Sequence, residues 1–246
     1  MASPLEASSM SGPEQGTPHD GLIPAQNRRL LGRTAVLGLA LFIVGIGTFA
    51  PDSSPEAGSS SAAQIRQFAA DSAGTIRLNT LSSIISLGLL VFFVACLAQQ
   101  VRQIRPGTPA PFALVALGAL IAAALLCLTA ATSIFGIPDQ LAKVSDTSVV
   151  TMYDGAAVAQ WLYTLTVAGP CMLLIATYSW IALRNRLMVR WVSWAGFVLA
   201  AAGAFTLVSI TLPASDIDLF VVVRFGWWLW PLAVGGAFGV RWLRTR

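Results

Sequence analysis

The chain has 246 residues, of which 56% are hydrophobic and only 11% charged, against roughly 25% charged in a soluble domain; this excludes an ordinary water-soluble globule. A formal net charge of +4 suggests nucleic acid until the basic residues are located: they lie in short segments between long apolar runs, which excludes a nucleic-acid surface. Three scattered cysteines, Cys96, Cys127 and Cys171, and a single histidine, His19, exclude a disulfide framework and a Cys/His metal cluster.

Residues 1–27 are rich in Ser, Pro, Gly and Ala. They have little to bury and are expected to be disordered, so that 1–33 form a cytoplasmic tail and 34–246 the membrane domain. A span needs roughly 20 apolar residues, and six segments qualify: 34–50, 78–98, 112–137, 156–183, 191–212 and 219–240. The first is read as retained, because its basic flank is long for a signal peptide and Pro51 follows it. The fourth carries Pro170 mid-way, where a missing backbone donor should kink the helix. The cysteines fall inside the apolar runs and are expected as small buried hydrophobes.

The segment after the first span reads PDSSPEAGSS and then SAAQIRQFAADSAG. Ser61 and Gln64 fit a capping box and Gly74 a helix stop. Ile65, Phe68, Ala69 and Ser72 share a face. The expectation is a separate short helix, resting on lipid as a connector or closing as a lid over an external cavity.

Orientation follows from basic residues in short loops. Arg28, Arg29 and Arg33, then Arg102 and Arg105, then Arg184, Arg186 and Arg190, then Arg241, Arg244 and Arg246 fall on one side. Arg66, Arg77, Lys143 and Arg224 fall on the other, with every acid beyond the N-terminal tail. Both termini are therefore expected in the cytoplasm, with the basic clusters against anionic lipid. The fold class is all-α: a polytopic six-helix bundle in the bacterial cytoplasmic membrane.

The succession of a first span, PDSSPEAGSSSAAQIRQF, and RLNTLSSIISLGLLVFFVACLAQQVRQ resembles a group of uncharacterised actinobacterial six-span membrane proteins. The resemblance is one of layout. It implies the six-span architecture and supplies no activity, cofactor or site residue.

Inside the spans, Asn79, Ser82, Ser83 and Ser86 recur at helical spacing. Gly196, Ala200 and Ala204 form a small-residue series, and Gly235 with Gly239 a GxxxG. These are read as packing faces. Arg224 stands five residues inside the last span, about 8 Å from its start at 1.5 Å per residue. It shares a helical stripe with Pro231 and Gly235, so it points toward the bundle mouth if that stripe is packed, while Trp227 and Trp230 fall to one flank, available to an outer aromatic belt; the readings of Arg224 are a structural ion pair first, then snorkelling to the lipid headgroups, then an anionic-ligand site. An inward arginine needs an anion, and Asp154 is the first choice, followed by Asp139, Asp71, Asp216 and Asp218. Gln160, Tyr163 and Thr164 lie below Asp154. The candidate external polar pocket is Arg224, Asp154, Asn79, Gln160 and Asp139.

No phosphate loop, dinucleotide fingerprint, HExxH or GxSxG is present. No acid lies mid-span to relay protons. No cofactor, metal or nucleic acid is expected; the bilayer is the solvent, and the partner is another protein or a second copy of the chain. The expected role is a non-enzymatic accessory or binding component. Its rivals are a small-molecule transporter with an outer-half pocket around Arg224, and a membrane-embedded enzyme using external carboxylates.

Overall fold

The computed structural model describes residues 25–46, 54–209 and 219–244. All regular structure among them is helical. The helices are α1 (Ala25–Ile46), α2 (Ala62–Ile104), α3 (Ala110–Ser133), α4 (Pro138–Leu141), α5 (Asp146–Thr166), α6 (Met172–Arg184), α7 (Arg190–Ser209) and α8 (Leu219–Arg244). A 3-10 turn, Ile134–Gly136, follows α3, and a π-helical turn, Val167–Cys171, joins α5 to α6. Among the described residues four helical stretches are long and apolar enough to cross a membrane: Ala62–Ile104, Ala110–Gly136, Asp146–Arg184 and Arg190–Leu207. Helix α1 starts at Ala25, so the last residues assigned to the tail are helical; residues 1–24, the end of the first expected span, and Asp216 and Asp218 lie outside the described residues.

The separate surface helix expected over 61–74 is not found. Its N-terminus is as anticipated: Ser61 accepts from the Gln64 amide and Gln64 Oε1 accepts from the Ser61 amide at 2.8 Å. Gly74, however, lies inside α2, which runs 43 residues without interruption. An interior glycine costs a helix only about 1 kcal/mol. Here Ile65, Ala69 and Ile76, on either side of it, are buried against Phe135, Leu141 and Val149, and that burial outweighs the glycine. At 1.5 Å per residue α2 is about 65 Å long, roughly twice a bilayer's hydrocarbon thickness. Its polar first third therefore projects beyond the apolar bundle as part of a cap with the 3-10 turn, α4 and the start of α5.

Pro170 does not break its helix. The residues around it take the wider π-helical turn, which accommodates one extra residue and the missing donor.

The helices close into a ring: α1 packs on α8 and α2, α2 on α3, α3 on α5, α6 on α7, and α7 on α8. The tightest meeting is α1 with α8. A Cβ added at Gly38 would sit 2.2 Å from the Pro231 carbonyl oxygen, and one at Gly235 would sit 2.9 Å from that of Ala35. The GxxxG of the last span is thus spent within the molecule, on the first helix. In the small-residue series of α7, Gly196 is buried against α6 while Ala204 is exposed. Ser82, Ser83 and Ser86 are buried as anticipated.

Two expectations about side chains are corrected. Trp227 and Trp230 are not in an interfacial belt: both are buried, with Trp228 beside them. Glycines on neighbouring helices make the space, Gly45 receiving the Trp228 ring and Gly196 lying next to Trp230 Nε1. Of the cysteines only Cys171 is buried, and Cys127 is exposed on α3.

Because the α1–α8 contact is between backbones, Gly38→Ala should lower the thermal unfolding temperature in detergent, by about 1–3 kcal/mol of overpacking. Gly236, one residue from Gly235, has open space around its Cβ position, and Gly236→Ala should leave the temperature unchanged or raise it slightly. Equal temperatures for the two variants would contradict the packing.

Candidate functional site

The five residues of the expected pocket are spread over four helices, α2, α4, α5 and α8. Asp154 on α5 is half-buried, and its Oδ1 accepts the Gly58 amide at 2.9 Å. Asn79 on α2 accepts from the Ser83 hydroxyl at 3.3 Å. Gln160 on α5 is half-buried, with its backbone carbonyl accepting from Thr164. Asp139 is exposed on α4. Among the described residues no hydrogen bond or ion pair joins these four to one another. Arg224 belongs to α8, and its side chain lies outside the described residues, as does any pairing with Asp154. Tyr163, read beside Gln160, is buried in the bundle core.

Polar contacts concentrate instead in the cap. Arg66 and Arg77 stand eleven residues, close to three turns, apart on α2, and so share a face. Both reach the connection between α3 and α5. Arg66 pairs with Asp146 at 2.6 Å and donates to the Val144 carbonyl at 2.7 Å; Arg77 Nε donates to the Gly136 carbonyl at 2.5 Å. Tyr153 packs edge-on against Phe135 at 5.5 Å between centroids, and its hydroxyl donates to the Pro55 carbonyl at 2.6 Å. With the Asp154–Gly58 bond this straps residues 54–60 onto α5. Beside the strap is an open groove of about 560 Å³, polar and acidic along Glu56, Ser59, Gln64, Gln67 and Asp71, with Pro55 and Phe68 as its apolar members.

A second polar group is buried at the opposite end of the bundle. Thr34 Oγ1 donates to the Leu30 carbonyl at 2.9 Å, Gln100 Nε2 donates to Thr34 Oγ1 at 2.9 Å, and the Tyr178 hydroxyl donates to Gln100 Oε1. Thr34 and Tyr178 are fully buried and Gln100 nearly so. This chain ties α1, α2 and α6 together. Gln100 also borders a cavity of about 270 Å³ with Gln103, Asn185, Leu31, Phe238 and Arg241, where Arg241 donates to the Leu187 carbonyl at 3.0 Å. The start of α1, the end of α2, the α6–α7 turn and the end of α8 therefore meet at one end of the molecule.

Among the described residues an aromatic cluster lies between cap and cavity. The Trp230 ring stands edge-on to Phe93 at 6.2 Å and to Tyr178 at 6.0 Å, and Leu97, Leu174, Ile175 and Val234 belong to the same buried cluster. The Ser179 and Ser193 hydroxyls and Trp230 Nε1 are buried there with no hydrogen-bond partner.

The sequence reading passed over Gln100, which stands in AQQVRQ and looks like a span end giving way to a loop. It also counted Arg66 and Arg77 only as charges. Their eleven-residue spacing on a helix that buries Ile65, Ala69 and Ile76 was the available signal. Compared with protein-family models, curated proteins and solved structures, the chain matches none of them.

Two outcomes follow. Tyr178→Phe leaves the buried Gln100 oxygen without its donor, at about 1–3 kcal/mol; adding Gln100→Leu removes the stranded group, so unfolding temperatures should rank wild type, then the double variant, then Tyr178→Phe. In the cap, Arg66→Gln loses the bond to Val144 as well as the ion pair, whereas Asp146→Asn loses only an exposed pair worth roughly 0–1 kcal/mol. Trypsin should cut after the exposed Lys143 faster in Arg66→Gln and at nearly the wild-type rate in Asp146→Asn; equal rates would count against a cap held by Arg66.

Proposed function

We propose that the chain is a six-span integral membrane protein of the bacterial cytoplasmic membrane, with both ends in the cytoplasm, and that it acts as a non-enzymatic binding or accessory component through its extracytoplasmic cap. The six-span reading is supported by α1 and α8, which complete the ring with the four stretches long and apolar enough to cross a membrane. The orientation is supported by the basic segments gathered at the end opposite the cap, against anionic lipid.

The observation that carries the functional reading is the aromatic layer around Trp230. A transporter pocket needs a polar route across the midplane, and this position is occupied by Phe93, Trp230 and Tyr178 packed edge to face. The cap, by contrast, is a rigid platform. Its groove is built on α2 and on a strap held by Tyr153 and Asp154. Its mixture of carboxylate, amide and one aromatic side chain suits a polar protein surface with basic residues.

The test places a photo-crosslinking side chain at Gln67, within the groove, and at Trp180, on the exposed side of α6, in native membranes. The expected result is a discrete adduct from position 67 alone, lost when Phe68→Arg is added without change in the unfolding temperature. Adducts of equal yield from both positions, or none from the groove, would overturn the reading.

A further inference from the structure

At the end opposite the cap, α2 and α3 are joined by a tight turn. The Thr108 amide and hydroxyl both donate to the Arg105 carbonyl, at 3.4 and 3.1 Å, across Pro106 and Gly107. Gly107 has φ +85°, the left-handed conformation that this turn position requires. Below the turn lies a groove of about 1080 Å³ between the two helices.

Its lining is ordered by helical arithmetic. Ala95, Ala98 and Arg102 follow one another at spacings of three and four along a single stripe of α2, and Arg105, the C-cap of the helix, stands just past its end in the same lining. Two methyl-sized side chains leave room between the helices, and two guanidinium groups stand at the end of that space. Phe112 and Val115 of α3 form the facing wall. Phe112 is 80% exposed and Val115 50%, so an apolar surface runs into the groove from outside the protein. From Ala95 to Arg102 the stripe rises about 10 Å.

Among the described residues no carboxylate pairs with the arginines of this groove. No Asp or Glu occurs between Asp71 and Asp139, and the one ion pair among the described residues is Arg66–Asp146, in the cap. Both walls are stretches long and apolar enough to cross a membrane, so the arginines stand where an apolar phase gives way to a polar one. Two arginines three residues apart offer a planar, multiply donating surface that matches a phosphodiester better than lysines would.

We propose that this groove is the binding site of one anionic phospholipid, with its phosphate between Arg102 and Arg105 and an acyl chain along Ala95, Ala98 and Val115. The cavity, the small-residue stripe and the paired guanidinium groups together distinguish it from diffuse attraction at the other basic turns.

The experiment is native mass spectrometry of the full chain released from micelles doped with phosphatidylglycerol or with phosphatidylcholine. The wild type should retain one phosphatidylglycerol and no phosphatidylcholine. Arg102→Gln with Arg105→Gln should weaken retention by about thirty-fold, as for two arginines near an anionic surface, while the lipid-free unfolding temperature stays unchanged. Arg184→Gln with Arg186→Gln, on the neighbouring turn, should retain the lipid as the wild type does. Equal loss in both pairs, or equal retention of both lipids, would overturn the proposal. Should the first pair fail to fold, Ala95→Leu decides: it fills the groove and keeps both arginines, so it should lose the lipid, and undiminished retention would refute the site.

Discussion

Where Gly38 of α1 meets Pro231 and Gly235 of α8, two helix backbones touch with no side chain between them. In a hydrocarbon solvent helices gain little from hiding apolar surface, and association rests on close packing. That approach draws α8 against α1 and sets the ring diameter. It also fixes where the α8 tryptophans go. Trp228 is pressed onto Gly45, and Trp230 is carried across to Phe93 and Tyr178. A larger residue at position 38 would separate the helices and leave the rings without the cavity they occupy.

Helix α2 links the parts of the molecule that differ in chemistry. Its first third carries the cap through Arg66 and Arg77. Its middle supplies Phe93 and Leu97 to the core. Its last turns hold Gln100 in the buried polar chain and Arg102 beside the α3 turn. One helix therefore spans the cap groove, the aromatic layer and the groove beside the α2–α3 turn. Because α2 is uninterrupted at Gly74, a load applied to the cap is borne by the bundle itself and not absorbed in a joint.

Local signals were legible in the sequence and their continuation was not. The Ser61–Gln64 capping box is complete within four residues, so its geometry follows from residue type alone. Whether the helix stops at Gly74 depends on Phe135, Leu141 and Val149, which are distant in sequence and supply the burial that carries α2 onward. Pro170 announced an irregularity, but kink and π-helical turn both accommodate a missing donor, and packing chooses between them. The tryptophans misled because an aromatic near a span end fits a belt and a core equally well; only the glycines on the facing helices decide. The expected pocket centres on Arg224, whose side chain lies outside the described residues, and of its other members Asp154 shows how a local partner escapes residue counting. Asp154 found a local amide at Gly58, and a strap of backbone is invisible to residue counting.

The pairing of α1 with α8 also has a consequence for assembly. These helices are the first and last of the bundle in chain order, and each is the other's main support. During synthesis α1 is made with its glycine face uncovered, and that face stays so until the helices between α1 and α8 have been made. The ring is completed in one late step, when α8 leaves the ribosome and meets a helix made long before. A chain interrupted before α8 would carry that uncovered face permanently, a mark by which membrane quality control could separate unfinished copies from finished ones.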